Sequence, residues 1–332
     1  VVSALLDASI ALSENARTRP IIDGRVKPDG LRLLPTVVHP SEMFWRQLHY
    51  GDFDISEMSL SSLFIAASRG NKDWAAIPVY SMRRFFHTSI MVRRGSNIHV
   101  PKDLIGRKVG VPEYQQTSAV WSRGVLEEFF GVPAAKIEWF MERGPDRSHG
   151  AATGFSPPVG VRINQIPAST SIGAMLVSGE LDATLLYLGQ PNLVDRSTAS
   201  IEDVTQPLFP DAVAEARRFH AETGLYPINH TLVVRRSLVE RHGWVALNIY
   251  NAFVRASDVV HADAQAVIQP ALETGRIESD AARRLAADNP MPYGLAAARP
   301  ELERVVDYLV SQGLIARRIA LEDVFARSTL EL

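Results

Sequence analysis

The chain has 332 residues, of which 46% are hydrophobic and 22% charged, the balance of a water-soluble globular protein with more than one core. Its formal net charge is -2 and its basic residues fall in scattered pairs (Arg83-Arg84, Arg217-Arg218, Arg235-Arg236) rather than in a stripe, which argues against nucleic-acid binding. The absence of cysteine excludes disulfides, thiolate-held zinc, iron–sulfur clusters and cysteine nucleophiles, and no apolar run approaches the ~18–20 residues that span a bilayer.

Residues 1–7 carry no basic stretch, and Asp7 interrupts their apolar run, so an intact secretory signal is not expected. The expected location is cytoplasmic, or periplasmic if a leader has been removed. Residues 9–12 predict a first strand, followed by Arg17-Thr18-Arg19. Residues 31–34 predict a second strand and 41–49 an amphipathic helix, capped by Ser41-Glu42 and stopped at Gly51. A buried strand follows, ending at Ile55 and leading into Ser56-Glu57-Met58-Ser59-Leu60-Ser61-Ser62.

Further strands are predicted over 75–79, 89–92, 108–111 and 231–234, and helices over 119–129, 211–223, 245–261 and 299–312. Between them, residues 160–187 repeat the earlier grammar: an extended 161–163, a helix over 171–177, Gly179, then Glu180-Leu181-Asp182-Ala183. This echo reads either as two similar α/β lobes or as coincidence within one doubly wound domain. Both place parallel strands between helices, with ligands beyond the carboxyl ends of the strands. The Pro290, Pro292 and Gly294 cluster predicts a rigid connector rather than a helix.

Polar clusters gather at predicted strand ends. Arg17 and Arg19 offer planar forks for a carboxylate, Ser59 and Ser61 stand before a helix, and Tyr114-Gln115-Gln116-Thr117 opens the next one. Caps and surface charge are the plainer reading of each; their convergence would make a pocket for a small anionic, aromatic guest. Among histidines, His87 and His230 stand immediately before strands and are the candidate proton carriers. The others (39, 49, 99, 149, 220, 242 and 261) read as surface. HExxH, Walker A, GxGxxG and GxSxG patterns are absent.

Arg17-Thr18-Arg19-Pro20, Asp23-Gly24-Arg25-Val26, the run from Phe53 to Ser62, Val109-Gly110-Val111-Pro112-Glu113-Tyr114-Gln115, Pro292-Tyr293-Gly294-Leu295 and the closing Leu321-Glu322-Asp323-Val324-Phe325-Ala326 resemble the 4,5-dihydroxyphthalate decarboxylase family. The resemblance implies a two-lobed type II periplasmic-binding-protein-like fold, with lobe one at 1–106 and 225–332 and lobe two at 107–224. It also implies a carboxy-lyase without organic cofactor: His87, His230 and Glu57 would be catalytic, and Arg17, Arg19, Ser59, Ser61, Tyr114, Gln115 and Thr117 would bind substrate. A divalent metal held by histidine and Glu57 is compatible with the spacing but not demanded by it, and an oligomer is compatible with the sequence. Two other readings use the same cleft: a non-catalytic solute-binding protein for an aromatic carboxylate, and a biosynthetic enzyme for another small acid.

Overall fold

The computed structural model describes residues 5–190, 192–287 and 291–332. The chain starts with β1 (Leu6–Leu12), α1 (Arg19–Ile22), β2 (Leu31–Val37), α2 (Pro40–Tyr50), β3 (Ile55–Ser59), α3 (Leu60–Ser68) and β4 (Trp74–Arg83). It continues through β5 (Met91–Arg93), β6 (Lys108–Val111), α4 (Thr117–Phe130), β7 (Glu138–Met141), α5 (His149–Thr153), β8 (Ile163–Gln165), α6 (Ile172–Ser178), β9 (Ala183–Thr184), β10 (Thr205–Pro207) and α7 (Ala212–Thr223). It closes with β11 (Ile228–Arg235), α8 (Arg236–Arg241), α9 (Val245–Glu273), α10 (Ser279–Ala287), α11 (Leu295–Ser311) and α12 (Leu321–Val324).

Among the described residues the strands form two sheets, ordered β2-β1-β3-β11-β4 and β10-β5-β9-β6-β7-β8. Both are mixed. β1 lies parallel between β2 and β3, while β11 runs antiparallel to β3 and β4. In the second sheet β6 is parallel to β7 and β9, and β5 is antiparallel to β9 and β10. The antiparallel strands are the ones the chain enters after passing from one sheet to the other: β4 leads to β5, and β10 leads by α7 to β11.

The echo read in the sequence is present as β2–α2–β3 and β8–α6–β9. Each helix stops at a glycine in the left-handed region, Gly51 at φ 61° and Gly179 at φ 82°, which a side chain would disfavour. The expected boundary at residue 106 needs correction. Met91–Arg93 pairs with β9 and β10, so the second sheet begins well before residue 107. An apolar strand signal does not say which sheet the strand joins; partners more than ninety residues downstream decide it. The helix expected over 245–261 extends to Glu273 because the Ala-rich stretch beyond it favours helix even where it is exposed. Of the expected connector, Asn289 and Pro290 lie outside the described residues, and Met291 to Gly294 form a non-helical turn that meets β4 through Gly294 N–H to the Pro78 carbonyl.

One apolar cluster runs through both lobes, with Phe64 and Tyr80 from the first and Trp121 and Trp139 from the second. Helix α11 packs on α3 and α4 alike. Its contact with α4 is close because Gly124 has no side chain: a Cβ there would stand 2.4 Å from the Tyr308 ring. Gln312 at the end of α11 accepts a hydrogen bond from Arg123 (3.0 Å) and donates to the Val120 carbonyl (2.9 Å).

Candidate active site

A cleft of about 310 Å³ opens between the carboxyl ends of the two sets of strands. Its size suits a small ligand. Ser13 follows β1, His39 follows β2, Ser59 ends β3, Thr117 follows β6 and Arg143 follows β7, and all five line it.

His230 comes from β11, directly opposite Ser59 of β3, so the two share a sheet face. Its Nδ1 lies 3.0 Å from Glu57 Oε2, its Nε2 lies 2.8 Å from the Asn229 amide, and its ring meets Phe44 edge-on at 4.8 Å. Glu57 is fully buried and accepts further bonds from Ser13 N–H, Ser13 hydroxyl and Ser81 hydroxyl, each 2.6 Å long. Burial alone would raise its pKa. The His230 contact and the Ser13 and Ser81 hydrogen bonds outweigh that and hold it below the ordinary carboxylate value. Glu57 therefore stands behind His230 and fixes its ring; it does not line the cleft.

The opposite wall belongs to the second lobe. Arg143 is buried and spends its donors on Asp195 (2.7 Å), Glu113 (3.1 Å) and Ser41 (2.6 Å). Glu113, also fully buried, accepts from Ser148, the Gly150 N–H and Gln115, and lies 2.8 Å from His149 Nε2. Burial pushes its pKa up, but His149, Arg143 and Ser148 together bring it down to about 2. At the rim Arg84 is exposed, and among the described residues its guanidinium has no carboxylate partner; its one recorded contact is with the Phe86 ring at 5.8 Å. Helix α4 points its start into the cleft. Gln116 at its N-cap makes no side-chain cap, and the buried Gln116 Nε2 has no hydrogen-bond partner. An uncapped helix start with a spare amide donor suits an anion.

The sequence-predicted residues divide. His230, Ser59 and Thr117 line the cleft, and Glu57 and Ser61 lie one layer behind, Ser61 donating to the Gln115 carbonyl at 2.5 Å. Tyr114 and Gln115 are buried beneath the wall; Tyr114 lies under the Arg123 guanidinium at 3.7 Å, where it packs the core. Three expectations need correction. Arg17 reaches the Met291 carbonyl and the Tyr293 ring, and Arg19 is paired on the surface with Glu14, because both follow the short turn into α1, which leads away from the cleft. His87 is packed among Phe85, Phe209 and Phe219 and bonded to Glu215 at 3.1 Å, outside the cleft. The 3-10 turn Phe86–Ser89 aims it at α7 instead.

Sequence reasoning passed over Arg84, Arg143, His39 and His149. Arg84 was visible only as half of a basic pair. His149 is almost wholly buried rather than on the surface, and its capping Ser148 was its only local signal. Among the described residues no group of three or more histidine, aspartate or glutamate side chains is placed to hold a metal ion, and no helix is long and apolar enough to cross a membrane.

Two mixed sheets joined by two crossings, with the cleft between them, define a periplasmic-binding-protein-like protein. Solved structures share the fold: the periplasmic aliphatic sulphonate binding protein SsuA of Escherichia coli (TM-score 0.53, 11% identity, 99% of this chain and 100% of that one) and the alkanesulfonate-binding protein SsuA of Xanthomonas axonopodis pv. citri bound to MOPS (0.56, 12%, 98% of each). The desulfurization enzyme DszB shares it as well (0.51, 14%, 96% of each). No family model matches the chain. Among curated proteins, 4,5-dihydroxyphthalate decarboxylase of Comamonas testosteroni is 33% identical over 331 residues, 98% of both chains. The protein of the same name from Pseudomonas putida is 36% identical over 185 residues, 56% of this chain and 72% of that one. The chain belongs to the 4,5-dihydroxyphthalate decarboxylase family.

Proposed function

We propose that this protein is a carboxy-lyase that converts 4,5-dihydroxyphthalate, or a close analogue, to protocatechuate and carbon dioxide. The observation that carries the reading is His230, held by a fully buried carboxylate and facing a cleft that offers the Arg84 guanidinium at its rim and the uncapped start of α4. Arg84 and the start of α4 would take the two ring carboxylates, with Gln116 Nε2 supplying a directed donor.

In such a substrate each carboxylate has a hydroxyl para to it. Loss of the phenolic proton sends electron density to the carboxyl-bearing carbon, and an acid protonates that carbon. Carbon dioxide then leaves as the ring becomes aromatic again. The phenol is its own electron sink, so no organic cofactor is required. His230 would give the proton to carbon: Glu57 holds its Nδ1 and stabilises the imidazolium, and Nε2, which lies 2.8 Å from the Asn229 amide at the cleft, would be the delivering atom. The apolar faces of Phe44, Phe86, Leu186 and Leu188 would flank the ring and exclude water.

The test is carbon dioxide release and product analysis with purified protein and 4,5-dihydroxyphthalate, with and without a chelator for divalent metals. Stoichiometric protocatechuate is expected. Tight binding without carbon dioxide would instead indicate a solute-binding protein. A cytoplasmic location fits this reading and is tested by fractionation of cells that express the full gene.

A further inference from the structure

The chemistry just proposed leaves one proton unassigned, the one that departs from the phenolic oxygen. His230 has a counterpart across the cleft. His149 Nε2 lies 2.8 Å from the buried Glu113 carboxylate and His230 Nδ1 lies 3.0 Å from Glu57, and both imidazoles meet the Phe44 ring edge-on, at 4.8 Å for His230 and 6.2 Å for His149. The two walls thus carry one histidine–glutamate pair each.

The pairs differ in how they reach the cleft. His149 Nδ1 is 2.9 Å from Ser62 Oγ; Ser62 donates to Ser59 Oγ at 3.3 Å; Ser59 shares a 2.9 Å hydrogen bond with Thr117. Ser62 is fully buried, whereas Ser59 and Thr117 line the cleft. His149 stands in the cleft wall with both ring nitrogens engaged, and the hydroxyls of Ser62, Ser59 and Thr117 make a continuous file of proton-carrying atoms from its Nδ1 to the ligand space. Glu113 and Asp195 both pair with the guanidinium of Arg143, whose Nη1 also lies 3.0 Å from His149 Nε2.

We infer that Ser59, Ser62 and His149 form a proton relay that accepts the phenolic proton, while His230 protonates the ring carbon; this rests on the decarboxylase reading. The Ser62 hydroxyl, which at rest donates to Ser59, turns to His149; the phenol O–H then gives its proton to Ser59, the Ser59 proton moves to Ser62, and the Ser62 proton moves to His149 Nδ1, where Glu113 balances the imidazolium. The phenolate electrons flow into the ring, and the carboxyl-bearing carbon takes the His230 proton. When the carbon–carboxyl bond breaks, its electron pair restores the aromatic ring and returns charge to the phenolic oxygen. That oxygen recovers its proton from the relay, and His230 is reprotonated from solvent. One proton is consumed for each carbon dioxide released. The arrangement also explains why so many hydroxyls crowd the end of β3 and the start of α3: two of them conduct, and Ser61 locks Thr117 in place through its own N–H at 2.9 Å.

The experiment is a proton inventory, kcat measured in mixtures of H2O and D2O, on the wild-type protein and on Ser62→Ala and His149→Gln. Several protons in flight give a bowl-shaped wild-type inventory. Ser62 does not itself line the cleft and makes no bond to Glu113. Ser62→Ala is expected to lower kcat on the order of 10²-fold, in the range of a lost acid–base contribution, with KM little changed and the inventory straightened. His149→Gln should behave alike. A linear wild-type inventory, or variants that keep the wild-type kcat, overturns the relay while leaving the decarboxylase reading intact. A wild-type protein that releases no carbon dioxide overturns both. A linear wild-type inventory overturns the relay even where a variant fails to fold.

Discussion

Two histidines stand at the two passages between the lobes, and both are paired with a glutamate, yet their surroundings make them opposites. His230 lies on β11 with its ring at the cleft and its partner Glu57 buried behind it. His87 lies in a cage of phenylalanines with its partner Glu215 on α7, and burial drives its pKa down to about 4 against the support of Glu215, with Arg218 adding to the depression. Arg84, three residues earlier on the same passage, turns to the cleft instead. Pairing with a carboxylate does not make a histidine a proton carrier. Access to the ligand and a pKa near the working pH do.

The sharpest way to break this contrast is a pair of variants. His230→Gln is expected to lower kcat by about 10²–10⁴-fold, while His87→Leu keeps it within about twofold; equal losses in both would dissolve the distinction. Next in size is the rim cation. Arg84→Ala should raise the KM for a dicarboxylate about 10–100-fold with kcat little changed, the loss of one charge-assisted contact. Arg19→Ala, on the outer surface, should leave KM unaltered, and steady-state kinetics separates the two.

The smallest effect concerns stability. The folded chain holds His87 neutral down to about pH 4, whereas an ordinary histidine in the unfolded chain takes a proton below 6.5. The unfolded state thus binds more protons between these values, so native stability falls as pH drops through 6.5 and the decline levels off near 4. Denaturant unfolding should show a loss on the order of 1–3 kcal/mol across that window. His87→Leu should flatten this component of the slope, and His230→Gln should leave it in place.

Much of the frame was legible in the sequence because it is written locally. Gly51 and Gly179 stop their helices through backbone conformation, and alternation along β3 puts Glu57 and Ser59 on one face while Met58 turns to the core. The pairing of residue 230 with Ser59 was beyond its reach, since strand register across the sheet is settled by tertiary packing. The same limit hid the direction of the turn at 86–89, where three residues separate a cleft-facing arginine from a caged histidine. His149 escaped notice for a related reason: its partners Glu113 and Ser62 lie 36 and 87 positions earlier, and nothing near it in the chain announces them.

The missing side chain at Gly124 has a mechanical consequence. Because α11 rests on α3 and α4 together and grips α4 through Gln312, any swing of the second lobe against the first has to break or shift these contacts. The bare backbone at 124 is the surface on which the Tyr308 ring rests in this arrangement. Even a methyl group at that point would act as a wedge and hold the jaws apart while leaving every polar group of the cleft in place.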